Sequence, residues 1–219
     1  MAPPRKKPFL YSYWRSSASW RVRIGLALKE IEYEYVPVNL VKGEQLGPEF
    51  MELNPAKLVP LLIWDDKHLT QSPAILELLD ELYPEIHPFL PADPYAKATV
   101  RSIVDAIVCD THPVANSRIL KLVGGDDDAK RAEYAKVVIT WGMEAVEAQL
   151  RKTAGKYSYG DALTMADIVL APQFYNVYRW KCDVGMFPTC ERVYNELLQL
   201  DAFSKTHPDL QPDNPDLSR

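Results

Sequence analysis

The sequence predicts a small α/β unit followed by a larger all-helical unit. As far as residue 82, a β-α-β start is followed, after a long connection, by two more β-prone segments and a second amphipathic helix. Prolines then interrupt the chain at Pro84, Pro88, Pro91 and Pro94. Beyond them the apolar residues recur at helical spacing almost to the end of the chain. We therefore expect two domains, over residues 1–86 and 92–219.

The first unit is predicted to contain four strands, at residues 9–14, 33–38, 61–64 and 68–70. A helix is predicted over residues 17–30, because apolar residues recur there at i, i+3, i+4 and i+7. A second helix is predicted to begin with Ser72 as its N-cap and Pro73 at its first position. The connection through Gly43 and Gly47 is predicted to be a long loop.

The second unit is predicted from helical periodicity. Apolar stripes mark helices at residues 100–107, 134–145 and 193–200. Another helix is predicted to open at Thr164 and Asp167, which have the spacing of a capping box, a folding element and not a ligand site. Residues 124–128 are predicted to form an exposed loop, and the Pro- and Asp-rich residues from His207 onward a tail.

Composition and charge argue against several classes of protein. The 219 residues carry a net charge of −5, which argues against nucleic acid as the main partner. No apolar run approaches the roughly 20 residues of a membrane span. The basic, proline-rich residues 1–8 lack the apolar core of a secretory signal and are predicted to be a solvated tail. The three cysteines cannot all pair and show no metal-binding spacing, which favours a reducing, cytoplasmic location and no metal site.

A serine-rich segment lies at the predicted start of the first helix. Ser16 and Ser17 fall where a helix leaves backbone N–H groups unpaired and where its macrodipole is positive. Together with the serine hydroxyls, these groups would stabilise a carboxylate or a thiolate. A single serine at such a position also serves as a helix cap, and this alternative stays open. Arg21 and Arg23 oppose the macrodipole, so we expect them to serve packing or a charged partner.

The same segment resembles a signature of a known family. Residues 16–24, SSASWRVRI, resemble the SSCSWRVRI signature of the zeta-class glutathione transferases. The resemblance continues through residues 54–60, 71–72 and 160–167, and through the closing HPxxQPD pattern of residues 207–213. It implies a thioredoxin-like N-terminal domain that binds glutathione and a helical-bundle C-terminal domain that binds the substrate.

The resemblance also implies which residues hold glutathione. Ser16 and Ser17 would be the catalytic residues beside its thiol, favouring the reactive thiolate. Val59-Pro60 resembles a cis-proline turn that pairs with the peptide backbone of glutathione, and Gln71-Ser72 resembles the pair that holds its γ-glutamyl end. The implied glutathione-binding positions are Ser16, Ser17, Ala18, Ser19, Trp20, Arg21, Gln45, Val59, Pro60, Gln71, Ser72, His112, Asn116, Ser117 and Arg118.

The sequence departs from the family pattern at two of these positions. Ala18 stands where the signature has cysteine, which bears on the rate and the substrate range more than on the reaction class. His112 stands where glutamine is expected, and Pro113 is predicted to bend its helix locally.

The implied activity is the glutathione-dependent cis–trans isomerisation of maleylacetoacetate to fumarylacetoacetate in phenylalanine and tyrosine catabolism. Reversible addition of the thiolate to the cis double bond would allow rotation, while Arg179 binds a carboxylate of the substrate. Arg179 lies between two aromatic residues, so a structural role also stays open. Two other functions remain as alternatives, a glutathione transferase acting on small α-haloacids and a non-catalytic glutathione-binding module. The family further implies a homodimer.

Overall fold

The computed structural model describes residues 6–217, which divide into two compact units. The first unit contains the residues up to His87 together with those from Asp201 onward, and the second runs over Pro88–Leu200. The division between His87 and Pro88 falls within the predicted linker. The second unit ends earlier than the predicted domain, which extended to residue 219. Residues 1–5 of the predicted basic tail lie outside the described residues.

A four-stranded mixed sheet forms the centre of the first unit, in the order β2-β1-β3-β4. The strands are β1 (Phe9–Ser12), β2 (Glu34–Pro37), β3 (Leu61–Trp64) and β4 (Lys67–Thr70). β1 pairs in parallel with β2 and antiparallel with β3, and β3 pairs antiparallel with β4. A crossover helix joins the parallel pair and a tight turn joins β3 to β4, which confirms the predicted thioredoxin-like α/β unit.

The helices of the first unit that precede residue 87 are α1 (Ser17–Leu28), α2 (Pro48–Leu53) and α3 (Ser72–Leu82). α1 and α3 pack closely because α1 carries Gly25 at their contact, where a Cβ atom would lie 2.4 Å from Leu76 Cδ2. The predicted loop through Gly43 and Gly47 contains α2 and a 3₁₀ turn at Glu44–Leu46, neither of which was predicted. Both are too short to show helical periodicity.

The second unit is helical, as predicted. Its elements are α4 (Pro94–Asp105), a π-helical turn (Ala106–Thr111), α5 (Ser117–Gly124), α6 (Asp128–Thr153), α7 (Met165–Arg179), a 3₁₀ turn (Val184–Met186) and α8 (Pro188–Leu197). The π-helical turn that follows α4 ends at Thr111, two residues before Pro113, where a bend was predicted. Thr164 and Asp167 form the predicted capping box at the start of α7. Within residues 6–217, no helix is both long and apolar enough to cross a membrane.

The buried face of α6 differs from the predicted stripe. Val137 and Trp141 are exposed, and so is Ala145. The buried apolar residues of α6 are Ala135, Val138, Ile139, Met143, Val146 and Leu150. The predicted stripe joined residues from two faces because it was chosen by apolar residue type, which does not distinguish a buried tryptophan from an exposed one.

The segment from Asp201 onward is not the exposed tail that was predicted from His207. It contains α9 (Asp201–Ser204) and a 3₁₀ turn at Pro208–Leu210. Phe203, Gln211 and Asn214 are buried within the first unit. Proline and aspartate content suggested exposure, but contacts with residues far away in the sequence hold the segment in place.

Candidate functional site

Three of the predicted contact segments start from one edge of the sheet. In the pairing register, Tyr11 of β1 lies opposite Leu61 of β3, and Leu61 lies opposite Thr70 of β4. The residues that follow Tyr11, precede Leu61 and follow Thr70 therefore leave the sheet at the same edge. They are the serine turn, defined here as residues 13–17, the Val59-Pro60 turn and the Gln71-Ser72 pair. The fold thus brings together residues that lie far apart in the sequence.

The serine turn ends with Ser16 as the N-cap of α1. Ser16 has extended backbone angles (φ −72°, ψ 116°), and its Oγ accepts a hydrogen bond from the Ser19 N–H at 3.2 Å. The capping role that stayed open is therefore present. Ser17 is buried, whereas Ser16 and Ala18 are partly exposed. The N–H groups in the first turn of a helix point outward from its N-terminal end, so a negative charge placed here is stabilised.

Burial corrects two of the predicted glutathione contacts. Ser19 and Trp20 expose no surface, so neither presents an atom to a ligand in this structure. Trp20 Nε1 donates a hydrogen bond to Thr206 Oγ1 at 2.9 Å. The Trp20 ring also packs edge-on against His207, with ring centroids 5.0 Å apart. Trp20 therefore serves packing inside the first unit, whereas the buried Ser19 hydroxyl oxygen has no hydrogen-bond partner among the described residues.

Arg21 is also buried, next to one of the predicted contact residues. Its Nη1 donates to Ser72 Oγ at 3.4 Å. Burial lowers the pKa of the Arg21 guanidinium to about 9, which still leaves it charged at neutral pH. The structure therefore places a buried positive charge beside the Ser72 hydroxyl.

The Val59-Pro60 turn contains a cis peptide bond, as the resemblance implied. The Val59 side chain lies in an apolar cluster together with Tyr13 and Trp14 of the serine turn. Because these side chains share one packed cluster, the serine turn and the Val59-Pro60 turn are fixed relative to each other.

The Gln71-Ser72 pair differs from the predicted cap. Ser72 is the first residue of α3, and Gln71 occupies the N-cap position, so the predicted N-cap role of Ser72 is wrong. Gln71 is exposed and has a positive φ of 68°. Such a conformation costs a non-glycine residue roughly 1–3 kcal/mol, which the surrounding structure must offset. An exposed glutamine at a helix N-terminus suits an anionic ligand group.

Gln45 lies in the 3₁₀ turn that follows β2. Because β2 runs parallel to β1, the chain leaves β2 at the same edge of the sheet as the serine turn. The Oε1 atom of Gln45 is buried and has no hydrogen-bond partner among the described residues. A buried acceptor without a partner costs about 1–3 kcal/mol, so a ligand donor placed at Gln45 would be stabilised.

The remaining predicted glutathione contacts form one surface segment of the second unit. Asn116 caps α5, because its Oδ1 accepts a hydrogen bond from the Arg118 N–H at 2.8 Å. Ser117 and Arg118 are exposed in the first turn of α5, and His112 is partly exposed after the π-helical turn. The cap is a structural use of Asn116, and the exposed side chains are accessible to a ligand.

Arg179, the predicted substrate contact, is the last residue of α7 and is exposed. Its guanidinium lies over the Trp180 ring, 4.6 Å from the ring centroid. The structural role that stayed open for Arg179 is therefore present. A guanidinium that lies over an aromatic ring can still donate hydrogen bonds to a carboxylate, so the two roles are compatible.

Sequence analysis gave no site role to two residues that contact the serine turn. Arg23 Nη2 donates to the Trp14 carbonyl oxygen at 3.1 Å, and an Asp213 carboxylate oxygen accepts from the Trp14 N–H at 2.9 Å. The sequence did carry signals for both, since Arg23 opposes the helix macrodipole and Asp213 closes the HPxxQPD pattern. Neither signal shows which backbone atoms these side chains reach.

The arrangement at this edge is suited to stabilising an anion near a helix N-terminus. It combines the first turns of α1 and α3 with the hydroxyl of Ser16 and the buried guanidinium of Arg21. Within residues 6–217, no group of three His, Cys, Asp or Glu side chains is arranged to hold a metal ion.

Comparison with known proteins gives matches over most of the chain. The family model of the glutathione S-transferase N-terminal domain matches residues 8–81, and that of the C-terminal domain matches residues 115–211. The maleylacetoacetate isomerase of Mus musculus is 48% identical over 95% of this chain and 96% of its own length. A zeta-class glutathione S-transferase of Euphorbia esula is 40% identical over 97% of this chain and 95% of its own length.

A solved structure shares the fold. The crystal structure of maleylacetoacetate isomerase from Anaeromyxobacter dehalogenans 2CP-1, with bound dicarboxyethyl glutathione and citrate in the active site, is 40% identical to this chain. It matches with a TM-score of 0.86 over 95% of this chain and 98% of that chain. By sequence and by fold, this chain belongs to the glutathione S-transferase family and, within it, to the zeta class.

Proposed function

We propose that this chain is an enzyme that isomerises maleylacetoacetate to fumarylacetoacetate with glutathione as its cofactor. The observation that carries this proposal is the meeting of the serine turn, the Val59-Pro60 turn and the Gln71-Ser72 pair at one sheet edge. The mouse relative is named for this isomerase activity. The bacterial neighbour holds a glutathione derivative in its active site.

The residues at this edge fit the parts of glutathione. The N-terminus of α3, with Gln71 and Ser72, suits the α-carboxylate of the γ-glutamyl end. The backbone beside Pro60 lies at the same edge and suits the peptide portion. The serine turn suits the thiol. When bound, glutathione supplies a thiolate that adds reversibly to the cis double bond of the substrate, so that the bond can rotate before the thiolate leaves.

The task of the serine turn is to keep that sulfur ionised. A free thiol has a pKa near 8.5, and lowering it by two units requires about 2.7 kcal/mol. A helix N-terminus supplies roughly 0.3–1 kcal/mol, so it is not sufficient alone. A hydrogen bond to a charged group contributes about 1.5–3 kcal/mol. The hydroxyl of Ser16 and the N-terminus of α1 together supply the required stabilisation.

Arg179 is the residue that we assign to the substrate. Maleylacetoacetate carries two carboxylates, and a guanidinium binds a carboxylate through two parallel hydrogen bonds. The Arg179 guanidinium lies over the Trp180 ring, 4.6 Å from its centroid, and this contact favours one placement of the charge. The bound citrate and dicarboxyethyl group in the bacterial neighbour show that its active site accepts carboxylates.

Ala18 replaces the cysteine of the family signature at a partly exposed position in the first turn of α1. Its methyl group neither donates a hydrogen bond nor carries charge. The proposed chemistry does not depend on a protein thiol, because the helix N-terminus and the Ser16 hydroxyl remain. We therefore expect Ala18 to alter the rate and the substrate range and to leave the reaction unchanged.

A cis–trans isomerisation assay with maleylacetone tests this function, with glutathione omitted as the control. We expect turnover only when glutathione is present. Glutathione binding in a calorimeter without any turnover would contradict the isomerase and favour a non-catalytic binding module. Chloride release from a small α-haloacid without isomerisation would favour the transferase alternative.

We further propose that the enzyme acts in phenylalanine and tyrosine catabolism, in the cytoplasm and as a homodimer. The free thiols of Cys109, Cys182 and Cys190 support a reducing compartment. The exposed apolar side chains of Val137 and Trp141 on α6 support association. Analytical ultracentrifugation tests the dimer, since a chain of 24.9 kDa should sediment with about twice that mass.

A further inference from the structure

The last residues of the chain reach the backbone of the serine turn. One carboxylate oxygen of Asp213 accepts a hydrogen bond from the Trp14 N–H at 2.9 Å. The other accepts one from the Tyr35 hydroxyl at 2.6 Å. Trp14 lies two residues before Ser16, the N-cap of α1. A carboxylate from the end of the chain therefore joins the serine turn to Tyr35 of β2.

Arg23 holds the same turn through its carbonyl groups. The Arg23 guanidinium is completely buried and donates to the Trp14 carbonyl oxygen at 3.1 Å and to the Tyr13 carbonyl oxygen at 3.5 Å. The Tyr13 carbonyl oxygen also accepts from the Ser16 N–H at 2.9 Å. Both backbone polar groups of Trp14 are thus bonded, and Ser16 is tied to the same assembly through Tyr13.

The closing segment, defined here as residues 201–217, also holds this group of contacts through Thr206. Arg23 Nε donates to the Thr206 carbonyl oxygen at 3.2 Å, and Trp20 Nε1 donates to Thr206 Oγ1 at 2.9 Å. The contacts of Thr206 lie on α1, whereas Asp213 contacts the turn that precedes α1. Asp213 thus contacts the serine turn itself.

A change at Asp213 is expected to reach the site through the position of Trp14. The Trp14 side chain packs in the apolar cluster that also contains Val59. If the Trp14 N–H loses its acceptor, the backbone must shift or remain unsatisfied in a partly buried place. A small displacement of groups that position a reacting atom can lower a rate by about 10²-fold. A shift at Trp14 would therefore displace the serine turn before any other part of the site.

We propose that Asp213 is a positioning residue for the site at Ser16 and Ser17. Its carboxylate holds the serine turn in the geometry in which the Ser16 hydroxyl and the N-terminus of α1 meet the glutathione sulfur. Asp213 is the last residue of the HPxxQPD pattern, which sequence analysis used only as a family signature, so this residue of the pattern has a proposed role in the site. The inference rests on the proposed function, because it concerns how that site is held.

Three variants test the proposal: Asp213→Ala, Asp213→Asn and, as a matched control, Asp216→Ala. Asp216 is an exposed carboxylate of the same closing segment. Asparagine can still accept from the Trp14 N–H through its amide oxygen and can donate to the Tyr35 oxygen through its NH₂ group. Asp213→Asn therefore keeps the geometry and removes the charge, whereas Asp213→Ala removes both.

The first readout is hydrogen exchange of residues 13–17 in the protein without ligand. We expect faster exchange in Asp213→Ala, and exchange close to that of the unaltered chain in Asp213→Asn and Asp216→Ala. The second readout is the thiol pKa of bound glutathione, followed by thiolate absorbance. We expect Asp213→Ala to raise this pKa and to lower kcat/KM for maleylacetone by roughly ten- to a hundredfold, with the pH profile moved to higher pH.

Two results would overturn the proposal. Exchange and kcat/KM in Asp213→Ala that equal those of Asp216→Ala would show that the carboxylate does not hold the turn. Equal damage in Asp213→Asn and Asp213→Ala would show a charge effect and not positioning. If Asp213→Ala does not fold, Tyr35→Phe replaces it and must give smaller changes in the same direction, since one anchor of the carboxylate is lost. Unchanged exchange in Tyr35→Phe would also contradict positioning.

The failure of the proposed function is distinguishable from the failure of this inference. If the unaltered chain shows no glutathione-dependent isomerisation, the proposed function is wrong. Hydrogen exchange needs neither glutathione nor substrate, so it still decides whether Asp213 holds the serine turn.

Discussion

At the residue scale, two tasks fall on the hydroxyl of Ser16. Its oxygen accepts the Ser19 N–H at 3.2 Å and so caps α1. The proposed function asks the same hydroxyl to donate its proton to a thiolate. A hydroxyl has one donor and two acceptor lone pairs, so it can do both at once. The cap and the catalytic role are therefore compatible, and variants of Ser16 can separate them.

We expect Ser16→Ala to lower both stability and turnover. Loss of the cap should cost about 1 kcal/mol of unfolding free energy, and loss of the donor to the thiolate about 1.5–3 kcal/mol, or roughly ten- to a hundredfold in kcat/KM. Ser16→Asp keeps a good cap but places a carboxylate where the thiolate must lie. We therefore expect Ser16→Asp to keep its stability and to lose its turnover. Urea unfolding and the maleylacetone assay measure the two effects.

Ser16→Thr is the matched control, because threonine keeps both the hydroxyl and the cap. Its stability and turnover should stay near those of the unaltered chain. The catalytic assignment of Ser16 fails if Ser16→Asp isomerises maleylacetone as fast as Ser16→Thr does.

The two arginines of α1 show how far sequence analysis reaches at the residue scale. Arg21 and Arg23 oppose the macrodipole, and from this we expected packing or a charged partner. Both are buried, and burial lowers the pKa of Arg23 to about 10. Their neutral hydrogen-bond partners include the Ser72 hydroxyl for Arg21 and the Trp14 carbonyl oxygen for Arg23. The sequence indicated that these charges have a use, but the partners depend on tertiary contacts that no local pattern contains.

At the element scale, α8 begins against a carboxylate supplied by another helix. Its N-cap position is Phe187, which has no polar side-chain atom. Glu147 of α6 is buried, and its carboxylate accepts from the Cys190 N–H at 2.9 Å and from the Thr189 N–H at 3.1 Å. A negative charge at a helix N-terminus is favourable, so Glu147 replaces the missing local cap. It also accepts from Arg151 Nε at 2.9 Å.

We expect Glu147→Gln to lower the unfolding free energy at pH 7 by about 2–3 kcal/mol, because charge-assisted hydrogen bonds to backbone N–H groups are lost. Burial by itself would raise the Glu147 pKa, but the hydrogen bonds from Cys190, Thr189 and Arg151 together lower it. The folded state thus binds this proton more weakly than the unfolded chain does. The stabilisation is complete above the usual glutamate pKa of about 4.3 and is lost as pH falls through the lower folded value.

Urea unfolding of the unaltered chain and of Glu147→Gln at a series of pH values checks this prediction. The difference between the two should shrink below about pH 4. Glu144→Gln, an exposed site on the same helix, is the control and should change stability by less than about 0.5 kcal/mol. A Glu147→Gln loss no larger than that of Glu144→Gln would contradict the capping role.

The elements that could be predicted have strong local signals. β3 has the predicted bounds, and the capping box of Thr164 and Asp167 marks the start of α7. The box is local, because Asp167 Oδ2 accepts from the Thr164 N–H at 2.8 Å. α2 and α5 were missed because they have only six and eight residues, too few for periodicity to stand out.

At the whole-molecule scale, the closing segment is where local and long-range information disagree most. Its proline and aspartate residues predict an exposed tail, yet Asp213 bonds to Trp14, 199 positions earlier in the chain. Composition likewise did not predict which residues meet at the edge of the sheet, because that depends on the strand register. The family resemblance supplied the candidate residues, and the strand register explains why the candidate segments of the first unit meet.

We expect a chain that ends at Leu200 to lose the folded first unit. The truncation removes Phe203, which is completely buried, and even phenylalanine-to-alanine changes in cores cost about 3–5 kcal/mol. It also removes Thr206, the partner of Trp20 Nε1 and Arg23 Nε, at about 1–3 kcal/mol for each buried donor left unsatisfied. These losses approach the 5–15 kcal/mol that stabilises a typical domain. Hydrogen exchange should therefore show rapid exchange throughout α1 in the shortened chain.

A chain that ends at Asn214 keeps these contacts and is the control, with protection of α1 close to that of the full chain. Equal protection of α1 in both shortened chains would contradict the assignment of the closing segment to the first unit.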